Sequence, residues 1–284
     1  MGVLFGNPAD ALRAATEALR LTKVAKRHRL LALWRYLVVM QYRGQALTVE
    51  VQPLLEEARS LAATSGDVRV RFSIESNLAS ALLDAGRLDE AEEMLEKSTT
   101  LLGSADMDMN RLVQANNHAE LALARSDYLG ARARFEEAET YFGKTTPPDV
   151  ADTVIAGIGL CALETGDLPE ARRRESQLGP SDRTWYCDPT TSLTFRVRLL
   201  ERRQRQTEAD LMIRQTAAGI RDRLDLFWLK ISTLHVGRLL KWGQHSEAIR
   251  VATDALELAH SLGLEAQVSR LTQLVTKAGI RSHP

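Results

Sequence analysis

A small residue returns along this chain at nearly constant intervals. Ala11, Val51, Ala91, Ala131, Ala171, Ala209 and Ala248 stand 38 to 40 residues apart. A fixed period of this size marks a repeat array, in which no unit buries its apolar face alone and stacking of neighbours supplies the core. Other columns keep the same step. Four residues after each of these positions stand Ala15, Leu55, Leu95, Phe135, Glu175, Ile213 and Ala252. Seven after stand Ala18, Ala58, Ser98, Ala138, Leu178, Thr216 and Ala255, and nine before stand Tyr42, Leu82, Ala122, Ala162, Leu200 and Leu239. Offsets of three, four and seven lie on one face of an α-helix. Five before are Ala46, Gly86, Ser126, Gly166, Gln204 and Gly243, mostly small residues that suit a tight turn between helices. Each repeat therefore reads as helix, turn, helix, with the small residue where the pair crosses.

Start signals fit this division. Asn7-Pro8 is an N-cap followed by proline, Asp167-Leu168-Pro169-Glu170 has capping-box spacing, and Asp149 and Asp188 stand beside prolines in the same way. A leading helix is expected over 8–23 and helix pairs over 27–64, 68–103, 108–143, 149–179, 189–219 and 224–262. A capping helix over 264–279 follows, which makes 14 helices in a single domain over 1–284. The stretch from Gly179 to Pro189 contains two prolines and is expected to be a loop, with Trp185 or Tyr186 packed to pin it or exposed as a contact. Glu175 and Arg196 fall in apolar columns, so the middle of the array is expected to be irregular. The array begins half-way through a repeat, which favours a chain cut from a longer protein, or one that has lost an upstream domain, over a dedicated cap. Only 5% of residues are aromatic, against the β-branched and aromatic content that a sandwich or barrel needs.

The combination Leu78-Ala79, Leu82, Gly86, Ala91 and Leu95 resembles the tetratricopeptide repeat, and the resemblance extends over nearly the whole chain. The family's period is roughly 34 residues. The longer period here resembles the helical arrays of large bacterial regulators such as the maltose-regulon activator type. The resemblance implies an all-α fold: a right-handed superhelical solenoid of stacked antiparallel helix pairs, whose first helices line a concave groove. The groove positions it implies include Tyr36 and Arg43, then Ser73 and Asn77, then Asn116, Asn117 and Glu120. Further along they include Arg198, Glu201 and Arg202, then Lys230 and Lys241. Asparagine amides there suit an extended peptide backbone, since each offers donors and an acceptor. Asn and Ser are also poor residues for helix interiors, so their clustering on one face points to selection for something other than helix formation.

The charge balance narrows the partner. Lys+Arg and Asp+Glu are both 37, which weighs against a dedicated nucleic-acid or membrane-surface protein. Local basic runs do occur. Lys23, Lys26, Arg27, His28 and Arg29 form one, and the span 172–205 holds nine arginines against four acidic residues, a face suited to acidic groups. Two cysteines make no disulfide framework, no apolar stretch reaches 18 residues and no signal peptide is seen, so a cytoplasmic location is expected. The six histidines lack ligand spacing, so no metal is expected, and His118 and His235 read as packed, hydrogen-bonded imidazoles. Gly143-Lys144-Thr145 lacks the first glycine of a phosphate loop and follows a helix, and Asp106-Met107-Asp108 lacks the glycine of a calcium loop. Cys161 lies on an apolar face and Cys187 has no base beside it.

The chain is thus expected to be no enzyme and to need no cofactor. It reads as a protein- or peptide-binding scaffold, the sensor or partner-binding part of a bacterial signalling or transcription regulator. The alternative is a receptor that holds a small signal molecule in the groove.

Overall fold

The computed structural model describes residues 8–22, 26–103, 108–144, 146–179, 188–220 and 225–277. All secondary structure among them is helical, and there are 14 helices. The first nine are α1 (Pro8–Leu21), α2 (Lys26–Tyr42), α3 (Gln52–Ser65), α4 (Val68–Asp84), α5 (Leu88–Thr99), α6 (Asp108–Ala124), α7 (Tyr128–Thr140), α8 (Pro148–Glu164) and α9 (Leu168–Gln177). The remaining five are α10 (Thr190–Arg202), α11 (Gln206–Ile220), α12 (Asp225–Lys241), α13 (His245–Ser261) and α14 (Glu265–Lys277). The all-α class and the helix count agree with the sequence reading. The chain divides into two compact units, Met1–Cys187 with α1–α9 and Asp188–Pro284 with α10–α14.

The repeat is set by one turn used again and again. The residue five before the small position adopts left-handed backbone at Gly86 (φ 72°), Ser126 (60°), Gly166 (86°), Gln204 (59°) and Gly243 (76°). The next N–H then reaches back over the helix end: Arg87 to the Leu82 carbonyl at 2.9 Å, Asp127 to Ala122 at 2.9 Å, Asp167 to Ala162 at 2.8 Å, Arg205 to Leu200 at 2.9 Å and Gln244 to Leu239 at 2.8 Å. This is the Schellman stop, which satisfies carbonyls that the helix end would leave open. The same residues precede the following helix. The Asp127 and Asp167 side chains accept the backbone N–H groups of Gly130 and Glu170, so each stops one helix through its backbone and caps the next through its carboxylate. Each connection is three residues long, and the small residue becomes the fourth of the new helix. There it is fully buried in Ala91, Ala131, Ala171, Ala209 and Ala248. A methyl group at that point lets two helix axes come to within the roughly 8–10 Å of close helix packing.

The first repeat departs from this pattern. The left-handed residue after α2 is Gly44 (φ 73°), not Ala46, and nine residues separate α2 from α3. Val51 is still buried, but as the residue before α3 rather than inside it. The longer connection explains the branched side chain: Val51 is not pressed into a helix crossing.

Consecutive helices pack pairwise within each unit, and the pairs stack. In the first unit α2 lies on α4 and α4 on α6, and in the second α10 lies on α12 and α12 on α14. Polar bonds between residues about one repeat apart record this stacking. Asn117 donates to Ser76 at 3.0 Å across 41 positions, Arg125 to Asp89 at 2.9 Å across 36 and Arg132 to Asp167 at 3.1 Å across 35. Glu175 and Arg196, which stand in otherwise apolar columns, are half-buried rather than core, and α9 is the shortest of the described helices at 10 residues. The described part of α9 ends at Gln177 and α10 begins at Thr190; residues 180–187, with Trp185, Tyr186 and Cys187 and most of the expected loop, lie outside the described residues.

The Gly157-Ile158-Gly159 segment of α8 shows how tightly neighbouring repeats meet. A Cβ on Gly157 would stand 2.4 Å from the ring of Phe135, which is fully buried on α7. Gly157→Ala should therefore destabilise the protein by about 1–3 kcal/mol through overpacking. Urea unfolding should show a lower midpoint at an unchanged slope. A midpoint equal to that of the parent chain would mean that the α7–α8 contact yields without strain.

Candidate functional site

The first helices of the repeats carry the residues singled out from the sequence. Tyr36 on α2 is half-buried and packs against the apolar cluster around Leu33, Leu37 and Leu55. Arg43, just past α2, donates to Gln45 Oε1 at 3.3 Å. On α4 the Ser73 hydroxyl bonds back to the Arg69 carbonyl at 2.9 Å. Asn77 is half-buried and has no side-chain partner among the described residues. On α6, Asn116 Oδ1 is buried without a hydrogen bond, Asn117 is held by Ser76, and Glu120 is half-buried. Thus α4 and α6 bring the Ser/Asn-rich positions side by side, but Asn117 already serves the helix–helix contact. Of the groove positions named from the sequence, Asn77 and the acceptor end of Asn116 remain unengaged, and the buried amide nitrogen of Asn110 at the start of α6 is a third unpartnered group.

A buried polar knot sits next to them. Gln114 donates to the Leu95 carbonyl and Thr99 Oγ1, both at 2.7 Å, and accepts from the Ser98 hydroxyl at 2.8 Å. The His118 ring lies 3.1 Å from the same amide. Burial disfavours the charged imidazole and lowers the His118 pKa. Its packed, bonded state agrees with the sequence reading. Cys161 is fully buried, and burial pushes its thiol up to about 12, far from the thiolate that nucleophilic chemistry requires.

The basic run over 172–205 is divided between the two units. In the first unit, Arg173 bonds Glu170, and Arg174, only 4% exposed, bridges Glu170 and Glu139. Those two guanidinium groups, Arg173 foremost, hold the Glu170 carboxyl down to about 2. In the second unit Arg205 is paired with Glu208 and Lys230 with Asp188. Lys230 is thus engaged inside its own unit. Arg198 lies 4.0 Å from Glu201, and Arg202 is exposed. Glu201 is itself buried to 8% side-chain exposure and accepts from Arg238 at 3.2 Å, Lys241 at 3.1 Å and the Trp242 indole N–H at 3.1 Å. Arg238 and Trp242 escaped the sequence reading. The available signal was the repeat interval itself, since Glu201 and Lys241 are 40 residues apart.

In the other cationic cluster, Arg29 is committed to Glu57 and to the Leu19 carbonyl, and Lys23 lies outside the described residues. The Gly143-Lys144 segment follows the end of α7 and offers no strand-to-helix cradle. Among the described residues no His, Cys, Asp and Glu side chains gather in a group that could hold a metal ion, and no helix is long and apolar enough to cross a membrane.

These features define an all-α protein of stacked helix pairs, with unengaged amides on α4–α6 and a cation-rich face on α10–α12. No protein-family model matches the chain, and no curated protein is significantly similar to it.

One further cluster ties α11, α12 and α13 together. His235 Nε2 lies 2.7 Å from Asp210 Oδ1, Arg214 bonds Asp210 at 2.8 Å and reaches Glu247 at 3.0 Å, and Arg250 closes on Glu247 at 2.7 Å. Arg250, with Arg214, holds Glu247 down to about 2. Burial lowers the His235 pKa from 6.5, against the pull of Asp210. Burial opposes the charge on Asp210, yet the bonds from His235 and Arg214 outweigh it and leave that carboxyl below its usual range. Both native pKa values lie below the unfolded ones, so the unfolded chain binds more protons. Stability is then full above about pH 6.5 and is lost as pH falls through the native pKa of His235. The thermal midpoint should drop between about pH 7.5 and about pH 5.5, and His235→Gln should flatten that drop. A His235→Gln profile parallel to that of the parent would assign the pH dependence to other groups.

Proposed function

We propose that this chain is a non-catalytic helical-repeat scaffold that binds a protein or peptide. In this reading it is the sensor or partner-binding part of a bacterial signalling or transcription regulator. The helix pairs of each unit wind as a right-handed superhelix of the tetratricopeptide kind, with the first helices on the concave side. The observation that carries the reading is the pair of unengaged amides on adjacent first helices, Asn77 on α4 and Asn116 on α6. A buried acceptor without a donor is costly to fold, and a bound peptide N–H would satisfy it. Equivalent points on stacked repeats lie roughly 10 Å apart, which about three residues of extended chain span. The buried, strongly up-shifted Cys161 thiol supports a non-catalytic role for the one described cysteine.

Affinity capture with the full chain, followed by quantitative binding to the captured partner, tests the proposal. Asn77→Ala with Asn116→Ala should leave the helical circular-dichroism spectrum unchanged and weaken binding by about 1–3 kcal/mol as partner amides lose their bonds. Unaltered affinity in a folded double variant would remove the partner from the α4–α6 face.

A further inference from the structure

We infer that His118 is a pH-operated latch between α5 and α6. As the neutral imidazole it closes the buried Gln114 knot. As the imidazolium it swings outward to Glu96 and lets the knot open. The inference rests on the scaffold reading in one respect: α6 also carries Asn116, so an opened knot alters the face that meets the partner, and acid becomes the signal such a sensor reads.

The hydrogen bonds of the knot admit only the neutral ring. The Thr99 hydroxyl donates to the Leu95 carbonyl at 2.8 Å, so its oxygen faces Gln114 as an acceptor, as the Leu95 carbonyl also does. Both hydrogens of the Gln114 amide are spent on these two groups, and the amide oxygen takes the Ser98 hydroxyl. His118 Nε2 lies 3.1 Å from that same amide nitrogen. A neutral ring with its proton on Nδ1 turns a lone pair toward the amide hydrogens. A charged ring carries N–H on both nitrogens and sets a donor against a donor. Turning the amide over would offer His118 an oxygen but would set that oxygen against the Leu95 carbonyl. Gln114 is only 4% exposed, so a bond broken there is not made good by bulk water.

Outside the knot the charged ring has somewhere to go. His118 is half-buried, and the charged groups that act on it are Glu92 and Glu96 on α5 and Arg134 and Glu137 on α7. Glu92 is paired with Arg125, and Glu137 with Arg134. Glu96 is exposed and has no ion pair among the described residues, so it is the carboxylate that receives the imidazolium. Burial holds the His118 pKa below 6.5, so the latch is closed above about pH 6.5 and opens as pH falls through the native pKa. What opens is the bond between the last turn of α5, with Leu95, Ser98 and Thr99, and the middle of α6.

The test reads His118 itself in the full chain. Nitrogen NMR of the ring, identified by its loss in His118→Gln, should show Nδ1–H and a bare Nε2 at about pH 7.5, with a protonation midpoint below about 6.5. Backbone hydrogen exchange over 95–99 and 111–118, corrected for the intrinsic rate at each pH, should quicken about tenfold or more between about pH 7.5 and about pH 5. His118→Gln, which takes no charge, should lose most of that response. Glu96→Gln changes an exposed side chain, so it should fold as the parent does and lower the His118 midpoint. A ring protonated on Nε2 at neutral pH, a midpoint at or above about 6.5, an equal exchange response in His118→Gln, or an unshifted midpoint in Glu96→Gln would each overturn the inference. These readouts need no partner, so their failure leaves the scaffold function standing. A working latch in a chain whose Asn77→Ala/Asn116→Ala variant binds its partner unchanged would refute the peptide face alone.

Discussion

The structure depends on a left-handed residue followed at once by a helix N-cap. A non-glycine residue in that backbone region is disfavoured by contact between Cβ and the carbonyl, roughly 1–2 kcal/mol in a left-handed helical setting. Glycine fills the position in three of the five standard repeats, and Ser126 and Gln204 accept the strain in the others. The reversal stops one helix, starts the next within three residues and delivers an alanine to the fourth position of the new helix. Because the connection has no slack, the crossing point is set by backbone geometry, and the packing columns follow from it. Where the connection lengthens, between α2 and α3, the left-handed residue moves to Gly44, yet Val51, Leu55 and Ala58 stay buried.

Above this backbone device, polar bonds about one repeat long join successive pairs. Asn117 to Ser76, Arg125 to Asp89 and Arg174 to Glu139 bind residues that local sequence keeps far apart. Arg174 is the most deeply buried of them, and its charge is offset by two carboxylates rather than one. A buried charge with matched partners adds little net stability, whereas removing one partner is costly. Such bonds act more as specifiers of which pairs adjoin than as sources of cohesion. Cohesion comes from the apolar columns, as in the cluster of Leu112, Ala131, Phe135 and Ile158.

The two candidate faces differ in kind. On α4 and α6 the feature is incomplete hydrogen bonding in a neutral setting, which suits a backbone ligand. On α10 and α12 it is a buried carboxylate, Glu201, on which Arg238, Lys241 and the Trp242 indole converge. Each face belongs to its own unit, and each draws on two first helices one repeat apart. A stacked array produces such sites because equivalent positions recur at the same height on neighbouring helices.

Helix number, helix limits and the crossing alanines were readable in the sequence because they rest on local periodicity and on turn chemistry a few residues long. Even Ser126 and Gln204 revealed their place in a turn through the column they share with Gly86, Gly166 and Gly243; their left-handed backbone came only with the structure. The Ser/Asn character of α4 and α6 was readable for the same reason. Which side chains are engaged was not. Asn77 and Asn117 are equivalent by period, yet one is unengaged and the other is held by Ser76. Lys230 looked available and is paired with Asp188, while Arg238 and Trp242 looked ordinary and converge on Glu201. A hydrogen bond depends on ångström-scale distances between side chains on different helices, and those distances are set by packing angles and rotamers that no repeat period encodes.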